Sequence, residues 1–285
     1  LHEPPEVPNF GKRGRGIKLQ EGLVRYTAEE VIRDHKAVPA FKGYRGFPAT
    51  LCVSKNEAVV HGIPSEKQVF NDGDIVSVDC GVLLNGFFGD SAYTFPVGEV
   101  SDEIMKLLKV TNTSLYKAID AATIGKRIGD IGFAVQHYVE RDYKYGVVRE
   151  LVGHGIGREL HEPPEVPNFG KRGRGIKLQE GLVIAIEPMV NQGKKDVRTA
   201  PDGWTIISRD RKPSAHFEHT IAVRKNGPDI LSNHEMIVEE IRKNDNLQEV
   251  GVRKDTKTII DYQKIEKESN SRHFSAICHA NASLS

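Results

Sequence analysis

The chain has 285 residues, of which 38% are hydrophobic and 28% charged, and its 40 Lys plus Arg nearly cancel its 39 Asp plus Glu, leaving a net charge of +1. That balance gives no global pull toward DNA or an anionic membrane surface, and no run of 18 apolar residues offers a membrane-spanning helix. Three scattered cysteines, Cys52, Cys80 and Cys278, read as reduced thiols of a cytoplasmic protein, not as a disulfide framework.

Residues 1–24, LHEPPEVPNFGKRGRGIKLQEGLV, reappear letter for letter at 160–183. A structural repeat drifts until only its pattern survives, so a perfect copy points to a recent duplication or an assembly fault. The absence of an initiator Met points the same way, toward a missing native start. The first copy has no sustained period and reads as disordered or artefactual. A helix is predicted over 27–36, with Thr27 as N-cap and Glu29 and Glu30 in its first turn. Residues 38–48 form a Gly, Pro and aromatic loop. Residues 74–97 read as a β-hairpin about Asn85-Gly86. A helix over 101–122 carries Ile104, Leu107, Leu108, Leu115 and Ile119 on one stripe, and another over 130–143 carries Ile131, Val135, Tyr138 and Val139. A glycine-rich turn (153–157) and a Pro-rich loop (162–167) precede two strands, 181–190 and 215–224. The polar segment 251–285 reads as a disordered tail. Strand pairs between helices predict one α+β domain over 25–250.

In the hairpin, a two-residue loop sets Leu84 opposite Phe87 and Gly81 opposite Asp90. Asp79 and Asp90 then share a face as diagonal neighbours. Two carboxylates converging there repel unless a cation lies between them; the bland alternative is two surface acids. Glu187 and Glu218 each fall in an otherwise apolar strand, where a lone Glu is rarely buried unless paired or metal-bound. His154 stands between two glycines, which permit close approach of backbone or substrate. Oxygen and nitrogen donors without thiolate suit a pair of hard or borderline divalent cations. Cys80 points away from Asp79, a packing role. His137 and His219 read as packing or solvent residues, while His216 shares the face of Glu218. The basic loop 170–177 reads as solvated, with a transient ribosome contact as the lesser alternative. GHGIGRE lacks the βαβ context of a dinucleotide loop, and no G-x-S-x-G is present.

Five blocks together, HGIP (61–64), VDCGVLLNGFFGDSAYTF (78–95), GHGIGRELHEPPEVPNFG (153–170), IEPMV (186–190) and FEHTIAV (217–223), resemble the type I methionine aminopeptidases. The resemblance runs from about Thr27 to Glu235. It implies the pita-bread α+β fold, two pseudo-symmetric halves around a central antiparallel sheet. It also implies hydrolysis of N-terminal Met from nascent chains by a cytoplasmic monomer holding two divalent cations, Co, Fe, Mn or Zn. On this basis Asp79, Asp90, His154, Glu187 and Glu218 are the metal ligands, Asp90 and Glu218 bridging. His61 and His161 are catalytic histidines, Glu187 is the proton acceptor, and Tyr44, Phe47, Cys52 and Trp204 line the methionine pocket. The short Glu187–Glu218 spacing leaves no room for the type II insertion. The alternatives are a prolidase or proline-specific aminopeptidase of the same fold, which usually carries an extra N-terminal domain, and a damaged inactive copy lacking the family's opening helix.

Overall fold

A computed structural model describes residues 21–251. Most of the first copy and nearly all of the polar tail lie outside the described residues, as does Cys278. The described chain opens with α1 (Glu21–Asp34). Its backbone is already helical at Glu21, so Thr27 is an interior position and not the predicted cap. The EGLV of the first copy therefore continues into the TAEE helix, where the second copy turns and enters a strand.

Strands β1 (Val38–Pro39), β2 (Cys52–Lys55) and β3 (Ala58–Val60) lead to the long hairpin of β4 (Ile75–Leu84) and β5 (Phe87–Pro96). Asn85 and Gly86 have φ of 52° and 79°, the two positive angles of a type I′ turn. Leu84 faces Phe87 and Gly81 faces Asp90, the expected register. Helix α2 (Asp102–Ala121) starts where Ser101 accepts the N–H of Ile104 at 3.4 Å. Helix α3 (Ile128–Gln136) runs into a π-helical turn over His137–Asp142.

The second half holds β6 (Gly146–Val147), β7 (Gly153–Gly155), β8 (Glu162–Val166), β9 (Val183–Ile186), β10 (Met189–Asn191), β11 (Val197–Thr199), β12 (Ile206–Ser208), β13 (Ser214–His216), β14 (His219–Ala222), β15 (Asp229–Ile230) and α4 (Glu235–Lys243). Two sequence expectations change here. The glycine-rich turn and the Pro-rich loop are strands β7 and β8. The prolines are tolerated because β8 is the outer strand of its sheet. The glycines of β7 admit neighbouring backbone, not substrate: a Cβ on Gly153 would collide with the Ala185 carbonyl, and one on Gly155 with the Pro163 carbonyl.

The predicted long strands are each broken at their acid. Glu187 lies between β9 and β10, and Glu218 between β13 and β14. β9 pairs with β14 in a sheet ordered β15-β14-β9-β7-β8, and β10 pairs with β13 in one ordered β13-β10-β6. A third sheet is ordered β11-β12-β3. The fourth has the order β1-β4-β2, with β5 also on β4. Every pairing is antiparallel, as expected, and the strands divide into four sheets that meet around the acids. The α2 and α3 stripes, with Leu107, Leu108, Leu115, Ile131 and Val135 buried, close over Ile184, Ile186 and Ile221 in one apolar cluster.

Candidate metal centre

The hairpin and the two strand breaks aim their acids into one cavity of about 180 Å³. Asp79, Asp90, His154, Glu187 and Glu218 all line it, together with His61, His161, Tyr44, Phe47, Cys52 and Trp204. Every residue singled out from the sequence as a site candidate is thus brought together. Ligand atoms of Asp90, His154 and Glu218 lie within 4.8 Å of one another. His154 Nε2 is 3.6 Å from Glu187 Oε1, and His216 Nε2 is 3.9 Å from both Glu187 and Glu218.

Each side chain is aimed by its element. His154 Nδ1 lies 2.9 Å from the Gly155 carbonyl. A hydrogen there leaves Nε2 as a lone-pair donor turned to the acids, the usual arrangement of a metal-binding imidazole. Asn168 donates to the Glu187 carbonyl at 2.9 Å, so the loop after β8 steadies the break that carries Glu187. Asp90 Oδ1 accepts the Ser91 N–H at 3.0 Å. Gly81, in β4 directly opposite Asp90, gives up its side-chain space to the Phe41 ring; a Cβ there would strike it.

Burial raises the pKa of all four acids. For Asp79 the charges of Asp90 and Glu187 add to burial, and for Glu218 those of Asp90, Glu187 and Asp79 do. Burial pushes His154 down, and holds His216 at about 3 with help from His61. Asp79 Oδ1, Glu218 Oε1 and both ring nitrogens of His216 are buried without a hydrogen-bond partner. Acids this crowded and under-partnered are costly alone, and a divalent cation among them removes both penalties. The all-oxygen-and-nitrogen donor set fits such an ion.

The rest of the cavity is a wall of rings and aliphatic groups. Trp204 stands edge-on to Phe47 with centroids 5.3 Å apart. Tyr44 stacks on His161 at 5.2 Å and its hydroxyl is 2.9 Å from Nδ1. His161 is held down to about 4 by burial, then by His154, Arg45 and His61. Cys80 is buried in the core, as expected for packing. His219 is buried too, within hydrogen-bond reach of Tyr116 and Ser232, and His137 packs at a tilt against Phe133. Sequence reasoning missed Phe41, Arg45 and Leu160 in the cavity wall. Phe41 and Arg45 belong to the same aromatic loop as Tyr44 and Phe47, which was the available signal.

A cavity of buried, convergent acids and histidine on sheets of this topology defines a metal-dependent hydrolase. The chain belongs to metallopeptidase family M24, whose model matches residues 2–225, and its activity accordingly depends on divalent metal. Within that family it falls among the methionine aminopeptidases. It is 54% identical over 205 residues to the methionine aminopeptidase of Clostridium acetobutylicum, covering 72% of this chain and 82% of that one. It is 52% identical over 217 residues to methionine aminopeptidase 1 of Bacillus subtilis, covering 76% and 86%. The crystal structure of methionine aminopeptidase from Thermotoga maritima aligns with a TM-score of 0.73 at 44% identity, over 75% of this chain and 85% of that chain. The prolidase of Pyrococcus horikoshii aligns at 0.60 and 24% identity, over 76% of this chain but 55% of the prolidase, a likeness of fold alone. The fold is the pita-bread fold these proteins share.

Proposed function

We propose that the protein hydrolyses the N-terminal methionine from nascent proteins and peptides, using two divalent cations held by Asp79, Asp90, His154, Glu187 and Glu218. One observation carries the reading: two buried acids, Asp90 and Glu218, two half-buried ones, Asp79 and Glu187, and the buried His154 converge beside an apolar, ring-lined pocket. The acids suit the cations and the pocket suits an unbranched thioether side chain. Bound there, the metal pair supplies Lewis-acid activation of water and of the scissile carbonyl.

The chain's own residues do the rest. Glu187 takes the proton released as water attacks and returns it to the departing amine. A neutral His161 that accepts the Tyr44 hydroxyl at Nδ1 carries its hydrogen on Nε2, and donates it as charge develops on the carbonyl oxygen. His61, in a left-handed conformation with φ of 58°, steadies the scissile amide. Phe47, Cys52 and Trp204, with Tyr44, bury the methionine side chain. The protein acts as a cytoplasmic monomer. The loop bearing Lys171, Arg172, Arg174 and Lys177, all exposed, is a solvated basic surface; a transient contact with the ribosome is the alternative, which co-sedimentation at low and high salt checks.

The deciding experiment strips the protein with EDTA, reloads it with Fe, Mn, Co or Zn, and offers Met-Ala-Ser and an Xaa-Pro peptide. Metal-dependent release of Met with no Xaa-Pro cleavage is expected. Cleavage of Xaa-Pro alone would make it a prolidase, and inactivity with every metal would make it an inactive copy.

A further inference from the structure

Between the two halves of the molecule runs a buried seam where β5 passes the β13–β14 segment. Glu218 donates its backbone N–H to the Ala92 carbonyl at 2.9 Å. Two residues to either side, threonine hydroxyls join the strands. The Thr220 hydroxyl accepts the Asp90 N–H at 3.0 Å and donates to the Asp90 carbonyl at 2.7 Å. The Thr94 hydroxyl accepts the His216 N–H at 2.9 Å and donates to the His216 carbonyl at 2.7 Å. Asp90, Ala92 and Thr94 thus face Thr220, Glu218 and His216 in order. Two residues forward on one strand match two backward on the other, so the seam has an approximate two-fold centre at the Ala92–Glu218 bond. The threonines are its symmetry mates, one reaching in each direction, and both are fully buried.

A direct ladder would hold the strands about 4.8 Å apart. A hydroxyl inserted between the backbones at both ends holds them further apart than that. Asp90 and Glu218 flank one of these inserts, and Asp90 has both backbone groups on it. The Ser91 hydroxyl adds a donation to the Glu218 carbonyl at 3.2 Å, so both acids are tied to the same seam through backbone.

We propose that Thr220 is a positioning residue for metal capture, its hydroxyl setting the separation of the Asp90 and Glu218 carboxyls, while Thr94 is its mate with a structural role. The inference rests on the reading of Asp90 and Glu218 as ligands. Removing the Thr220 hydroxyl closes the strands onto each other or strands two buried backbone groups, and either result moves Asp90 relative to Glu218. The same deletion at Thr94 disturbs the backbone of His216, which is not among the proposed ligands.

Calorimetric titration of EDTA-stripped protein with Mn²⁺, beside thermal melts of the stripped protein, tests this. Thr220→Val and Thr94→Val each remove one hydroxyl that serves two buried backbone groups, and Thr94 also meets the Ser77 hydroxyl at 2.9 Å, so a loss of melting temperature at least as large in Thr94→Val is expected. Metal affinity separates them: about ten-fold or more is lost in Thr220→Val, the usual scale for a group that orients a ligand, and less than about three-fold in Thr94→Val. Thr220→Ser, which keeps the hydroxyl, restores affinity to within about three-fold of wild type. If Thr220→Val does not fold, Thr220→Ala carries the same expectation. Wild-type affinity in the Thr220 variant, or equal losses in the two valine variants, overturns the proposal alone. A wild-type protein that binds no Mn²⁺ overturns the ligand assignment beneath it.

Discussion

At the scale of the residue, the acids matter as a set. Asp90→Asn keeps the volume but replaces a carboxylate with a poorer, neutral ligand. It is expected to abolish turnover and lower metal content, read as ions per chain beside activity. Near-normal turnover with full metal content would sink its assignment. His161→Ala removes the proposed donor to the carbonyl oxygen without touching a ligand. Turnover should fall about 10²-fold or more, the scale for losing an oxyanion donor, while metal content stays. Trp204→Ala opens the wall that Trp204 and Phe47 build edge to face. Selectivity for Met over Leu at the first position should drop by roughly ten-fold, measured as the ratio of kcat/KM values; an unchanged ratio removes Trp204 from the pocket.

At the scale of the element, α1 is fastened to the aromatic loop through Glu29. Its carboxylate takes Lys42 at 2.9 Å, Thr50 at 2.7 Å and Arg33 at 2.8 Å. Lys42, and then Thr50 and Arg33, hold Glu29 down to about 2 against the opposing effect of burial. A depressed carboxylate stabilises the fold above its ordinary value of 4.5 and loses that contribution as pH falls through about 2. Lys42 is half exposed, so water screens the pair and the contribution is at most about 1 kcal/mol. Urea melts of wild type and Glu29→Gln should therefore differ most near neutral pH and converge as pH falls through about 2; a gap undiminished below that value would refute the tie. Elements were legible where one pattern governed them. The α2 stripe and the Asn85-Gly86 turn carry their own periodicity and turn chemistry, and both form as read. The strand over 181–190 does not, because Glu187-Pro188 interrupts it: Pro188 has no N–H for a ladder, and the acid turns to the cavity as the chain passes between sheets. The same passage divides 215–224 at Glu218. Threonine hydroxyls spanning a seam leave no periodic trace, so Thr94 and Thr220 could not be found from the sequence.

At the scale of the whole molecule, identical letters have different fates. EGLV is helical at 21–24, while at 180–183 it turns and enters β9 at Val183. The flanking sequence decides, since TAEE follows the first copy and IAIEPMV the second. The same reasoning applies to the paired histidines. His161 is anchored by β7 before it and by the Glu187 break after it, and His2 has neither in its sequence neighbourhood. His2→Ala should leave turnover within about two-fold, because a side chain needs a supporting shell to act in catalysis. Damage equal to that of His161→Ala would give the first copy a role. Most of the proposed catalytic set was readable from motif blocks because each proposed ligand lies in its own short, unusual stretch. Which strands meet around them was not, because that depends on contacts between distant segments.

The placement of Glu218 in the break before β14 has a consequence for the order of synthesis. Asp79 and Asp90 leave the ribosome together on one hairpin, His154 and Glu187 follow, and Glu218 emerges last, 128 residues after Asp90. The seam that aligns Asp90 cannot close before Thr220 is made, and such long-range pairings form late in folding. A half-made chain therefore presents only a hairpin of two acids, a poor trap for a divalent cation. With the proposed ligands, the protein gains its grip on metal when its second half docks, so an arrested or truncated translation product would compete weakly for the ions on which finished copies depend.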